Sequence, residues 1–205
     1  MWWLFRCLSL GALLGLLPVI VHAAPLTVVS AITQDVNCAF DADCTFPITD
    51  GATSFALPGS TGLAQLRERI FSGKSGLPAT IKNGYEYRLD LSQVTTLNDA
   101  TCVTSLTVDF GPVIKLQYNR IGPLEDVFVI RAAPGTIGLL SAEQIGNTIT
   151  FTLEQPVCAG DGLGQGKSSF FFGLASAHGL KPTTARVDGP GFVEPVKVRA
   201  GTPDH

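Results

Sequence analysis

The stretch "YEYRLDL", residues 85–91, decides the fold class. Tyr85, Tyr87, Leu89 and Leu91 fall on one side of an extended chain and Glu86, Arg88 and Asp90 on the other, the period-two alternation of a half-buried strand. "TITFTLE" (148–154) repeats the pattern, with Ile149, Phe151 and Leu153 on its apolar side. Further apolar runs are "LTVVSAI" (26–32), "CVTSLTVDF" (102–110), "VIKLQY" (113–118), "DVFVIRA" (126–132) and "SSFFFGLAS" (168–176), punctuated by Gly, Pro, Asn and Asp every ten residues or so. "NG" at 83–84 and "GN" at 146–147 supply turn chemistry. Pro112 ends one strand, because it cannot donate to a ladder. Many short strands with such breaks predict an all-β, two-sheet antiparallel sandwich, jelly-roll or immunoglobulin-like in character, with little helix.

"GLAQLRERIF" (62–71) is the ambiguous segment: Leu63, Leu66 and Ile70 fit helical spacing, and the residues also alternate. The alternation is preferred, giving a strand with Arg67 and Arg69 outward and "SGKSGLP" behind it as a long hairpin connection.

The first 25 residues, "MWWLFRCLSLGALLGLLPVIVHAAP", place Arg6 before an apolar run from Leu8 to Val21 and then small residues around His22. Residues 1–23 read as a cleaved signal peptide. Pro18 and the shortness of the run argue against a spanning anchor, which needs ~20 apolar residues. Without Arg6, 13 Lys+Arg stand against 17 Asp+Glu, a formal charge of −4. Scattered basic residues exclude nucleic acid, whose binding requires clustered Lys and Arg to displace counterions. Residues 24–200 are expected to form one sandwich domain, residues 201–205 a flexible tail, and the mature chain no membrane span.

Four cysteines then remain: Cys38, Cys44, Cys102 and Cys158. An even number after export implies two disulfides, and the spacings match no zinc pattern. Of the three pairings, Cys38 with Cys44 is favoured because it closes the small acidic loop "CAFDADC". Cys102 with Cys158 then ties one strand run to another, worth ~4 kcal/mol in the chain-entropy model.

Several stretches imitate catalytic motifs. "AGDGLGQGKSSFFFG" (159–173) has the Gly-Lys-Ser of a phosphate loop at Gly166, Lys167 and Ser168, but Asp161 stands where the first glycine belongs, and a Phe-rich strand follows where a helix is required. It reads as a flexible hairpin loop with no nucleotide. "DFG" (109–111) and "LPAT" (77–80) lack the partners their motifs need. Ser176, His178 and Asp188 are near in sequence without a nucleophile elbow, so no triad is expected. Glu68, Glu86, Asp90, Asp109, Glu125 and Asp126 are the carboxylates a glycosidase pair would draw on, and as strand-face acids they are expected to be solvated.

No cofactor and no metal are expected. Asp41, Asp43 and Asp50 in "DADCTFPITDG" are oxygen ligands of the type calcium takes, but the EF-hand alternation, its glycine and its terminal glutamate are missing. Tyr85 and Tyr87, side by side on one strand face, form a candidate stacking platform for a sugar.

Taken together, "YEYRLDL", "CVTSLTVDFGPV", "DVFVI", "GNTITFTLEQPVCAG" and "GKSSFFFGLAS" resemble bacterial exported β-domains of unassigned activity found in cell-surface proteins, over roughly residues 65–187. The resemblance implies a sandwich with a cross-strand disulfide and no catalytic residue. Members often continue into a surface anchor, whereas "PVKVRAGTPDH" is short and polar, so secretion or periplasmic residence is expected. The resulting expectation is a non-catalytic surface, matrix or interaction domain, not an enzyme, whose partner would be an extracellular protein or polysaccharide. A carbohydrate-binding module is the alternative, and a hydrolase with paired carboxylates the third reading.

Overall fold

The computed structural model describes residues 23–41, 43–45, 48–72, 83–97, 101–132 and 134–201. The expected signal peptide (but for Ala23), most of the "SGKSGLP" connection, "LPAT" and the tail beyond Gly201 lie outside them.

In chain order the elements are β1 (Ala24–Leu26), β2 (Val28–Ala31), α1 (Thr33–Phe40), β3 (Thr49–Phe55), β4 (Ser60–Thr61), β5 (Ala64–Ser72), β6 (Asn83–Asp90), β7 (Thr95–Thr96) and β8 (Cys102–Asp109). They continue with β9 (Val127–Ile130), β10 (Leu139–Ile145), β11 (Thr148–Cys158), β12 (Phe171–Ser176), β13 (Lys181–Gly189) and β14 (Phe192–Ala200). Two six-stranded sheets pack as a β-sandwich, in the orders β1-β10-β11-β8-β13-β14 and β2-β9-β12-β6-β5-β3. β2 and β9 run parallel, and the other pairs within these sheets are antiparallel. Among the described residues no helix is long and apolar enough to cross a membrane.

The alternation read from the sequence builds the interior. Tyr85, Tyr87, Leu89 and Leu66 from the second sheet meet Leu106, Val108, Ile149 and Phe151 from the first, all essentially excluded from solvent. Phe151 packs 5.1 Å from Phe172, and Tyr85 edge-on 5.1 Å from Phe110, distances at which aromatic pairs add to area burial. Both expected disulfides are formed: Cys38–Cys44 and Cys102–Cys158. Cys102 and Cys158 are direct partners in the β8–β11 register, so the second bridge fastens two neighbouring strands of one sheet.

A second apolar cluster lies outside the sandwich. Val36 and Phe40 of α1 join Tyr118, Phe128, Ile130 and Phe171 over the outer face of the second sheet. Helix α1 was not legible because Val36 and Phe40 are its only buried positions, too few to mark a period. "VIKLQY" is not a strand; Ile114 and Leu116 make isolated bridges to Ala175 and Glu125 and cover the same outer face. "GLAQLRERIF" is strand from Ala64, as the alternation predicts.

The glycine-rich stretch at 159–166 is not a hairpin. β11 and β12, which it connects, belong to different sheets, so the chain crosses between layers here. Nor is it loose: Lys167 donates its N–H to Cys158 O, and its own carbonyl accepts from Leu91 N, each at 2.9 Å. A Cβ on Gly166 would lie 1.9 Å from the Leu91 carbonyl oxygen, so glycine serves close backbone approach there.

Candidate functional site

On β5 the alternation of "LRER" sends Arg67 and Arg69 to the outer face and Leu66 and Glu68 inward. Register then brings together residues far apart in sequence. Arg69 stands between Asp50 on β3 and Glu86 on β6, and Arg67 stands opposite Arg88.

Two opposed guanidiniums would repel, and Asp90 resolves the conflict. Its carboxylate lies 3.4 Å from Arg67 and 3.3 Å from Arg88. Burial works against the Asp90 charge, but the Ser92 hydrogen bonds and the two arginines outweigh it and hold the carboxyl below its ordinary range. Arg88, almost wholly buried, also donates to Ser169 O and Ser168 Oγ.

Arg69 caps the floor of this shelf. Its guanidinium lies 4.0 Å from the centre of the Phe171 ring, a cation–π arrangement, while its Nε meets Asp50 at 3.1 Å and its Nη1 lies 3.9 Å from Glu86. Glu86 is beneath, with 5% of its side chain exposed. Burial pushes its carboxyl up to about 7; Arg69 pulls it down and Asp50 pushes it further up.

Glu68 carries a charge into the sandwich edge. Arg199 of β14 donates to it through its backbone N–H at 2.8 Å and its Nε at 2.7 Å, clasping the two sheets together. Gly51, opposite Glu68 in the register, makes room: a Cβ there would stand 2.4 Å from Arg199 Nη2.

The result is two cavities, each of about 290 Å³, on the two sides of β3. Asp50, Gly51, Ala52 and Glu68 line both. The outer one adds Arg67, Arg69 and Phe171; the other adds Thr53, Pro182, Lys197, Val198 and Arg199.

The residues singled out from sequence are placed differently. Tyr85 and Tyr87 are 0% and 1% exposed, so they are core and not a sugar platform. Their hydroxyls donate to the carbonyls of His178 and Arg199, and burial pushes the Tyr85 phenol up to about 12 and the Tyr87 phenol well above its ordinary value. Among the described residues no group of three or more His, Cys, Asp or Glu is arranged to hold a metal ion. Asp41 is buried and accepts from Asp43 N, whereas Asp50 is engaged by Arg69. Ser176 Oγ accepts from the backbone N–H of His178 and bonds Gly201 O, while Asp188 pairs with Arg186, so these residues form no relay.

The expectation of solvated acids fails for Glu68, Glu86, Asp90, Glu125 and Asp126, each at most 7% exposed. Burial of Glu68, Asp90 and Asp126 is tolerated because each has a cation beside it, whereas at Glu86 burial outweighs the more distant Arg69. The sequence does not mark Arg67, Arg69, Lys197 and Arg199, the cations of the shelf, as a site. The signal available was the "RER" alternation beside "YEYRLD", two strands whose outward charges complement each other once paired. Protein-family models, curated proteins and solved structures contain no match to this chain.

Proposed function

We propose that this chain is an exported, non-catalytic interaction domain that binds through the cation-lined shelf flanking β3. Export is supported by the N-terminal apolar segment and by two disulfides, which persist in oxidising compartments. The observation that carries the binding reading is the pair of cavities on either side of one edge strand, with Arg67 and Arg69 on one side and Lys197 and Arg199 on the other.

The non-catalytic part of the reading is supported by the state of the carboxylates. Asp50 and Glu86 share Arg69, which invites comparison with an acid and its ionised neighbour. Yet Glu86 lines neither cavity and lies under the guanidinium, where a substrate oxygen has no access to it. Both oxygens of Glu68 accept hydrogen bonds from Arg199. Stacking recognition of a sugar loses its platform with the burial of Tyr85 and Tyr87, and Phe171 is covered by Arg69.

The test is a panel of peptides and glycans screened against the disulfide-intact chain and against Arg67→Ala. Binding that weakens in Arg67→Ala without a change in melting temperature is the expected outcome. Hydrolysis of any glycan that is lost in Glu86→Gln would refute the non-catalytic reading.

A further inference from the structure

Each sheet of an open sandwich has two edges, and exposed edges are ordinarily guarded, since their free N–H and C=O groups invite another strand. Among the described residues the edges here are β1, β2, β3 and β14. β1 has three residues, including Pro25, and β2 has four. β14 has nine, but carries Glu194, Pro195, Lys197 and Arg199.

β3 is the exception. It runs for seven residues, "TDGATSF", without Pro or Lys, and pairs with β5 alone among the described residues. Apart from the buried Phe55 its side chains are small, and Asp50, Ala52 and Ser54 are exposed. A cavity also lies on each side of it. A strand laid along it would send alternate side chains into the outer cavity and toward the β14 side, the arrangement in which main-chain bonds supply affinity and alternate pockets supply selectivity.

We infer that β3 accepts an extended acidic segment of another protein as an added strand, extending the second sheet. This deepens the interaction reading and rests on it. The charge of the guest follows from the walls: of the two carboxylates that line both cavities, Asp50 is held by Arg69 and Glu68 by Arg199, which leaves Arg67 and Lys197 to face it. Arg67, with 46% of its side chain exposed, shares Asp90 with Arg88, and Lys197 donates to the Thr184 hydroxyl, a neutral partner. Carboxylates on either face of the incoming strand therefore meet a cation. A second copy of this chain fits less well: two-fold pairing would set the same cations of both copies beside one another while each β3 offers one carboxylate, Asp50.

The probe is an acetylated heptapeptide of alternating Thr and Glu, matched to the length of β3, with a Thr/Lys peptide and a fully N-methylated Thr/Glu peptide as controls. Amide hydrogen exchange of the whole disulfide-intact chain is the readout. The Thr/Glu peptide is expected to slow exchange at residues 49–55 at least tenfold, and the two controls to leave it unchanged. Arg67→Glu combined with Lys197→Glu is expected to bind the Thr/Glu peptide at least tenfold more weakly and the Thr/Lys peptide more tightly. Binding without protection of β3, equal binding of the N-methylated peptide, or no binding at millimolar peptide overturns strand addition. Concentration-dependent protection of β3 without peptide assigns the edge to a second copy and overturns it too. If strand addition fails while another member of the peptide and glycan panel binds in an Arg67-dependent way, the interaction reading stands alone. If nothing on the panel binds, that reading falls as well.

Discussion

Glu86 gives the shelf a stability signature that depends on pH. Its carboxyl is raised from an ordinary 4.5 to about 7. Burial is the main cause, and Asp50 adds to it while Arg69 opposes it. Between these values the folded chain holds a proton that the unfolded chain has released, so this group's contribution to stability falls as pH rises from about 4.5 to about 7 and is level beyond. At 1.36 kcal/mol per pH unit the loss is about 3 kcal/mol. Glu86→Gln keeps the shape and removes the titration. Urea melts of both proteins at half-unit steps from pH 4 to pH 8, with disulfides intact, isolate the term as the variant's stability minus that of the parent. That difference is expected to climb by about 3 kcal/mol across the window, flattening above pH 7.5. A flat difference would show that the ion pair with Arg69 cancels the effect of burial. A difference that falls with pH would show that the ion pair with Arg69 outweighs burial. Either result refutes the reasoning.

Three further outcomes follow from the packing. Replacing Cys102 and Cys158 together by Ser should lower unfolding free energy by ~4 kcal/mol in a urea melt, since the bridge closes a loop spanning a sequence separation of 56. Gly166→Ala should cost ~1–3 kcal/mol, because its Cβ would meet the Leu91 carbonyl, while Gly179→Ala, with nothing within 4 Å, should change the melting temperature negligibly. At Asp126 burial raises the carboxyl, but Lys115 and the N–H and hydroxyl of Thr27 hold it below its ordinary value. Its contribution is thus full above an unfolded pKa of ~3.9 and lost as pH falls. Asp126→Asn should accordingly destabilise by ~1–3 kcal/mol at pH 7, and by progressively less as pH falls below the ordinary carboxylate range.

The β-sandwich was legible where strands have one apolar face. The alternation in "YEYRLDL" and "TITFTLE" assigned the inward residues correctly, because a period of two survives any choice of neighbours. What a single strand does not encode is the fate of its other face. β6 is central in its sheet and covered on both sides, so Glu86, Arg88 and Asp90, polar by sequence, are buried all the same. Their neutralising partners come from register, which couples Glu86 to Arg69 and Asp90 to Arg67 across distances that no window along the chain can see.

β3 was unreadable for a different reason. An edge strand pairs on one side only and need bury little, so a sequence such as "TDGATSF" has no hydrophobic period to reveal it. The same small residues shape the shelf. Gly51 leaves the space Arg199 uses to reach Glu68, and a β-branched residue there would push that arginine out of the sheet-to-sheet clasp. The bland composition of β3 and the cavities beside it thus have one cause: side chains small enough to let long cations from β5 and β14 approach a strand edge from both sides. In that arrangement the charge serves to meet whatever lies along the edge, and the backbone of β3 is left to hold it.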